Sequence, residues 1–170
     1  MATKTDQHMM DWLRDAHAME QQAEMMLRTL ADRIENYPEF SQRLEEHVQE
    51  TREQAELLSD CIRRRGGDTS KLKDTVAKTI GWGQGISGFF AGDEIVKAAL
   101  ATYTFKEMEI AAYDILIAAA NALDDRQTAE ACGRIIRQEE DMAAFLRKNL
   151  PWVTTKFLGL ERTEGPTAKN

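Results

Sequence analysis

The sequence predicts an all-α protein, an antiparallel four-helix bundle with a long crossover between its second and third helices. Three observations carry this. Apolar residues recur in steps of three and four along four separate stretches, which is the spacing of a helix with one buried face. β-branched runs are scarce, and the glycines cluster instead of punctuating short strands. Finally, 170 residues suit one domain with a full core and no need of staples.

The first helix is expected from Thr5 or Asp6 to about Ile34. Met9, Leu13, Ala16, Glu20, Ala23, Leu27, Leu30 and Ile34 form its seam, with Glu20 in the middle. Glu35 to Pro38 breaks the pattern, and so short a turn makes the next helix an antiparallel neighbour. The second helix runs from Glu39 to Arg65 and stops at Gly66-Gly67. Its inward stripe holds Phe40, Leu44, His47, Glu50, Gln54 and Cys61, so polar groups are flanked above and below by apolar ones.

Residues 68–93 differ in kind. Leu72, Val76 and Ile80 suit a short amphipathic helix. Gly81, Gly83, Gly85, Gly88 and Gly92, with Trp82, Phe89 and Phe90, suit a loop that needs apolar cover. A connection this long is expected to run the length of the bundle. Its glycines match no phosphate-binding fingerprint. Its aromatics make Trp82 to Phe90 the expected dimer contact.

The third helix is expected from Asp93, as N-cap, to Leu123. Its stripe passes through Ile95, Ala98, Thr102, Phe105, Glu109, Ala112, Leu116 and Ala119. Asp124-Asp125-Arg126 turns the chain into a fourth helix with Cys132, Ile135, Glu139, Met142, Leu146 and Leu150 inside, expected to end at Pro151. Residues 1–151 then form the bundle. Residues 152–170 form a tail that packs through Trp152, Phe157 and Leu158 and frays from Arg162.

Glu109 lies 89 positions after Glu20, and Glu139 lies 89 after Glu50. At the same offset Met19 meets Met108, Ala23 meets Ala112, Leu27 meets Leu116 and Gln49 meets Gln138. A duplicated helical hairpin accounts for this and brings all four glutamates to one level. Carboxylates gathered in a core repel one another, so protons or cations must sit among them. Oxygen donors with an imidazole suit iron or manganese. The expected metal ligands are therefore Glu20, His47, Glu50, Glu109 and Glu139, holding two transition-metal ions, with Gln54 supporting them. His8 and His17 are expected at the surface, and Tyr103 and Tyr113 as packing residues.

The formal charge of −7 gives no reason to expect nucleic acid or an anionic membrane as partner. No apolar run spans a bilayer and the N-terminal residues lack a signal-type apolar core, so a cytoplasmic location is expected. Cys61 and Cys132 are expected as free thiols.

DAHAMEQQA at 15–23, HVQETREQAELL at 47–58, FKEMEIAAY at 105–113 and IIRQEEDMAAFL at 135–146 resemble the YciE/YciF branch of the ferritin-like proteins. The resemblance implies a ferritin-like bundle, a dinuclear metal site, a bacterial stress association and homodimers, with no established reaction. A small oxidant or peroxide is the expected small-molecule partner of a metal site of this kind. It places the family's glutamate of the first helix on Glu20, its His-x-x-Glu-x-x-x-Gln on His47, Glu50 and Gln54, and its Glu-Glu pair on Glu139 and Glu140. Where the family has Glu-His-aromatic-Glu, this chain has Lys106, Glu107, Met108 and Glu109, so only Glu109 matches. Lys106 brings a positive charge towards the site. The expected function is thus metal binding with oxidative or peroxide-consuming chemistry. The alternative is a metal-free dimeric structural or interaction module whose core carboxylates are held by hydrogen bonds and Lys106.

Overall fold

The computed structural model describes residues 3–32, 34–68 and 95–164. The described residues form four α-helices: α1 (Lys4–Ala31), α2 (Pro38–Arg64), α3 (Ile95–Ala122) and α4 (Arg126–Glu164). No strand occurs among the described residues.

Each end is set by local chemistry. Thr3 caps α1: its hydroxyl accepts from the Asp6 N–H at 3.1 Å, while the Thr3 N–H donates back to the Asp6 carboxylate at 3.0 Å. Pro38 starts α2, where its missing N–H costs nothing. Gly66 ends α2 with φ 78°, a conformation that suits a residue without Cβ. At the α3–α4 turn Asp124 takes φ 54°, and Asp125 accepts from the Thr128 N–H at 3.1 Å, capping α4.

Two apolar clusters occupy opposite ends of the bundle. One joins Leu27 and Leu30 of α1, Phe40 and Leu44 of α2, Ile95 and Ala99 of α3, and Met142 and Leu146 of α4. The other joins Met9 and Leu13, Leu58 and Ile62, Leu116 and Ala120, and Cys132 and Ile135. Hence α1 and α4 run one way and α2 and α3 the other. The end of α2 and the start of α3 lie at opposite ends of the bundle, so the connection between them crosses its length, as the sequence predicts. The expected helix at 72–80, the Trp82 to Phe90 contact and the Asp93 cap lie outside the described residues.

Pro151 does not end the fourth helix. α4 continues to Glu164 with Pro151 inside it. A proline in a helix interior costs ~3 kcal/mol through a lost hydrogen bond and a steric clash. Burial offsets that cost: Val153 and Phe157 join the cluster containing Ile34, Tyr37 and Phe40, at ~1.5–3 kcal/mol per large side chain. Trp152 meets the edge of Tyr37 with ring centroids 5.7 Å apart, and Lys156 lies over the Tyr37 ring and donates to the Asn36 carbonyl. Leu158, expected to pack, is exposed. No helix among the described residues is long and apolar enough to cross a membrane.

Candidate functional site: a buried carboxylate cluster around Lys106

Between the two apolar clusters lies a polar layer. Glu20 of α1, His47 of α2, Lys106 and Glu109 of α3, and Glu139 of α4 are all 0% exposed. Each sits inside because its helix is apolar on the same stripe one or two turns to either side. The helical register leaves these side chains no route to solvent.

Lys106 is at the centre. Its Nζ lies 2.6 Å from Glu109 Oε2, one turn along α3, and 2.7 Å from Glu139 Oε2 on α4. Both are close charge-assisted contacts between the ammonium and a carboxylate oxygen. On the α1 side the Tyr113 hydroxyl donates to Glu20 Oε1, while Glu20 Oε2 has no hydrogen-bond partner. On the α2 side His47 Nδ1 lies 2.5 Å from Glu50 Oε2, which accepts its proton, and Nε2 faces Glu139 Oε1 at 3.4 Å. Gln54 Nε2 donates to Gln138 Oε1 at 3.1 Å, tying α2 to α4 below the site.

The charges settle unevenly. Burial lifts Glu20 to about 8, helped by the negative charge of Glu139 and opposed by Lys106 and the Tyr113 hydroxyl. Burial likewise holds Glu109 well above the usual carboxylate range, against the pull of Lys106. Glu139 is also buried, but Lys106 and His47 outweigh burial and hold it at about 2. Burial disfavours the Lys106 ammonium, yet Glu109, Glu139 and Glu20 together raise its pKa above the ordinary lysine value. At neutral pH the core therefore holds an ionised Glu139 against a charged Lys106, with Glu20 keeping its proton. One ammonium cannot neutralise three carboxylates in a dry interior, so protons supply the rest.

The expected ligands are not all brought together. Glu20, Glu109, Glu139 and His47 converge. Glu50 stands at the rim with its side chain 30% exposed, paired with Arg43 at 3.2 Å and with His47. Burial pushes its carboxyl up, but His47 and Arg43 prevail and lower its pKa. Glu140 points to solvent. His17 is buried, not at the surface, and burial lowers its pKa. Tyr113, expected as packing, belongs to the site. Its signal was its place one turn beyond Glu109, on the stripe that also carries Lys106. Cys61 and Cys132 are free thiols, both buried in one apolar cluster, and burial pushes Cys132 up to about 12.

The donors are of the right chemical type for iron or manganese, three carboxylates and an imidazole. The space is not. An ion bridging Glu109 and Glu139 would need the position that Lys106 Nζ already holds against the same two oxygens. A dinuclear pair therefore does not fit while Lys106 is charged and in place.

A family model described as "Domain of unknown function (DUF892)" matches residues 4–159. A crystal structure of a protein from Xanthomonas campestris pv. campestris is similar at a TM-score of 0.77 and 28% identity, covering 94% of this chain and 99% of that one. The match spans all four helices and the whole polar layer, and the chain belongs to the DUF892 family, which is related to the ferritin-like bundles.

Proposed function

We propose that this chain is a ferritin-like bundle in which a lysine takes the place of the metal, and that it serves as a structural or interaction module. One observation carries the reading: the Lys106 ammonium, 0% exposed, lies between Glu109 and Glu139 at 2.6 and 2.7 Å. A tethered cation there satisfies the electrostatic demand that divalent ions meet in carboxylate bundles. The resemblance of the helix motifs supports placing the chain in the YciE/YciF branch, with a cytoplasmic location, homodimers and a stress association as further parts of the proposal.

A second reading keeps iron or manganese in the site. It is favoured by Glu20 Oε2 and Glu109 Oε1, buried oxygens with no hydrogen-bond partner. It requires Lys106 to lose its proton or move. Anaerobic Fe(II) and Mn(II) titration by calorimetry, with metal analysis of the purified protein, separates the two. The lysine reading expects no saturable core binding. Two ions per chain, lost in Glu109→Ala, would overturn it.

A further inference from the structure

We infer that Cys61 and Cys132 are a latent redox pair, which a two-electron oxidant of the peroxide class joins by a disulfide between α2 and α4. The inference is independent of what fills the polar layer, because both thiols lie in the apolar cluster at one end of the bundle.

The register of the two helices carries it. α2 and α4 run antiparallel and are tied twice, once on each side of the cysteines. Gln54, seven residues before Cys61, donates to Gln138, six after Cys132, at 3.1 Å. Arg64, three after Cys61, donates to the hydroxyl of Thr128, four before Cys132, at 2.6 Å. Both ties give the same alignment. It brings Cys61 to the level of residues 131 and 132, within ~1.5 Å along the helix axes. The two side chains are 1% and 0% exposed and belong to one cluster, so both face inward at that shared level. Burial pushes the Cys132 thiol up to about 12, and the nearby Cys61 sulfur adds to the shift, as two close sulfurs require.

A buried, protonated thiol is a slow nucleophile, so oxidation proceeds when this end of the bundle opens. Cys61 lies three residues from the last residue of α2, and Cys132 lies six from the first of α4. Gly133 weakens α4 beside Cys132, and a Cβ there would meet nothing closer than Arg137 Nη1 at 4.0 Å. Against opening, Arg64 and Arg65 bind Asp125 at 3.1 and 2.7 Å. In the reaction one sulfur, as thiolate, attacks a peroxide oxygen. The S–O bond forms, the O–O bond breaks, and the departing hydroxide takes up the released proton as water. The second sulfur attacks the resulting sulfenic acid, the S–S bond forms, and the S–O oxygen leaves as water with the second thiol proton. Two thiols are oxidised and one peroxide is reduced to two waters. A reducing thiol pool returns the pair to its resting state.

The test treats the full chain, reduced and freed of reductant, with hydrogen peroxide under native conditions. Free thiols are counted after denaturation, linked peptides are identified by mass in a non-reducing digest, and stability is read by thermal melting. The expected result is joint loss of both thiols, a peptide joining Cys61 to Cys132 within one chain, and a Tm raised by ~5 °C that dithiothreitol restores. Cys61→Ala and Cys132→Ala, which keep each position small and apolar, should give neither the linked peptide nor the rise. Asp125→Ala loosens the closing contacts and should form the link several times faster than wild type, which keeps the test decisive where wild-type oxidation is slow. Thiols left unlinked in both wild type and Asp125→Ala overturn the inference. So do oxygen adducts on sulfur without a link, or links only between chains.

Discussion

Lys106 and Glu109 stand one turn apart on α3 with the ammonium and the carboxyl group 2.6 Å apart, and neither side chain reaches solvent. Their separation puts both on one face of the helix, and the apolar residues on that face carry both into the core. Such a pair is weak evidence of stability, but breaking it is costly because a charge is left behind. Lys106→Met should therefore destabilise the metal-free protein by ~3–5 kcal/mol. Urea unfolding followed by circular dichroism measures this. Adding Glu139→Gln should restore part of the loss, because the orphaned anion is removed with its partner.

Glu20 sets a pH dependence of definite sign. Its folded pKa of about 8 lies above the ~4.3 of an exposed glutamate, so the folded chain binds a proton that the unfolded chain has released. The contribution is fully present below ~4.3 and is lost as pH rises from there through about 8, beyond which it is flat. Glu20→Gln should flatten the fall in urea midpoint between pH 5 and 8 and be the more stable protein near pH 8. An unchanged profile in Glu20→Gln would refute the assignment.

Asp125 works in the opposite sense. Burial raises its pKa, but the Thr128 hydroxyl and N–H, with Arg65 and Arg64, prevail and hold it at about 2. Its stabilisation is present above ~3.9 and is lost as pH falls from there through about 2. Asp125 caps α4 and accepts from Arg65 at 2.7 Å and Arg64 at 3.1 Å, and Arg65 also binds Asp6 at 3.0 Å. Asp125→Ala should cost ~1–2 kcal/mol at neutral pH through the lost cap, and less at pH 2.5. Equal losses at both pH values would count against the ion pairs.

The segment after Pro151 is part of the core. Phe157→Ala should destabilise the bundle by ~3 kcal/mol, and truncation after Pro151 should do so more strongly by uncovering Tyr37 and Phe40. Thermal melting of both variants checks this. A truncated chain as stable as the full one would show that the extension of α4 is dispensable.

The helices, their directions and the depth of Glu20, His47, Glu109 and Glu139 were legible in the residues alone, because heptad-like spacing fixes which side chains face inward. The crossover was legible too, since an 89-residue repeat of a hairpin demands a connection between opposite ends. Glu50 lies at the rim and not inside because its stripe position is the edge of the buried face, where Arg43, one turn before His47 and two before Glu50, reaches it. The course of α4 past Pro151 was hidden because a proline signals a local cost, whereas the offsetting contacts come from Tyr37 and Phe40, more than a hundred residues away. Only the tertiary structure decided the central question. Sequence gathers the carboxylates and sets Lys106 beside them, but whether that ammonium turns outward or enters the cluster depends on the distance to Glu139 on another helix, and no local rule contains that distance.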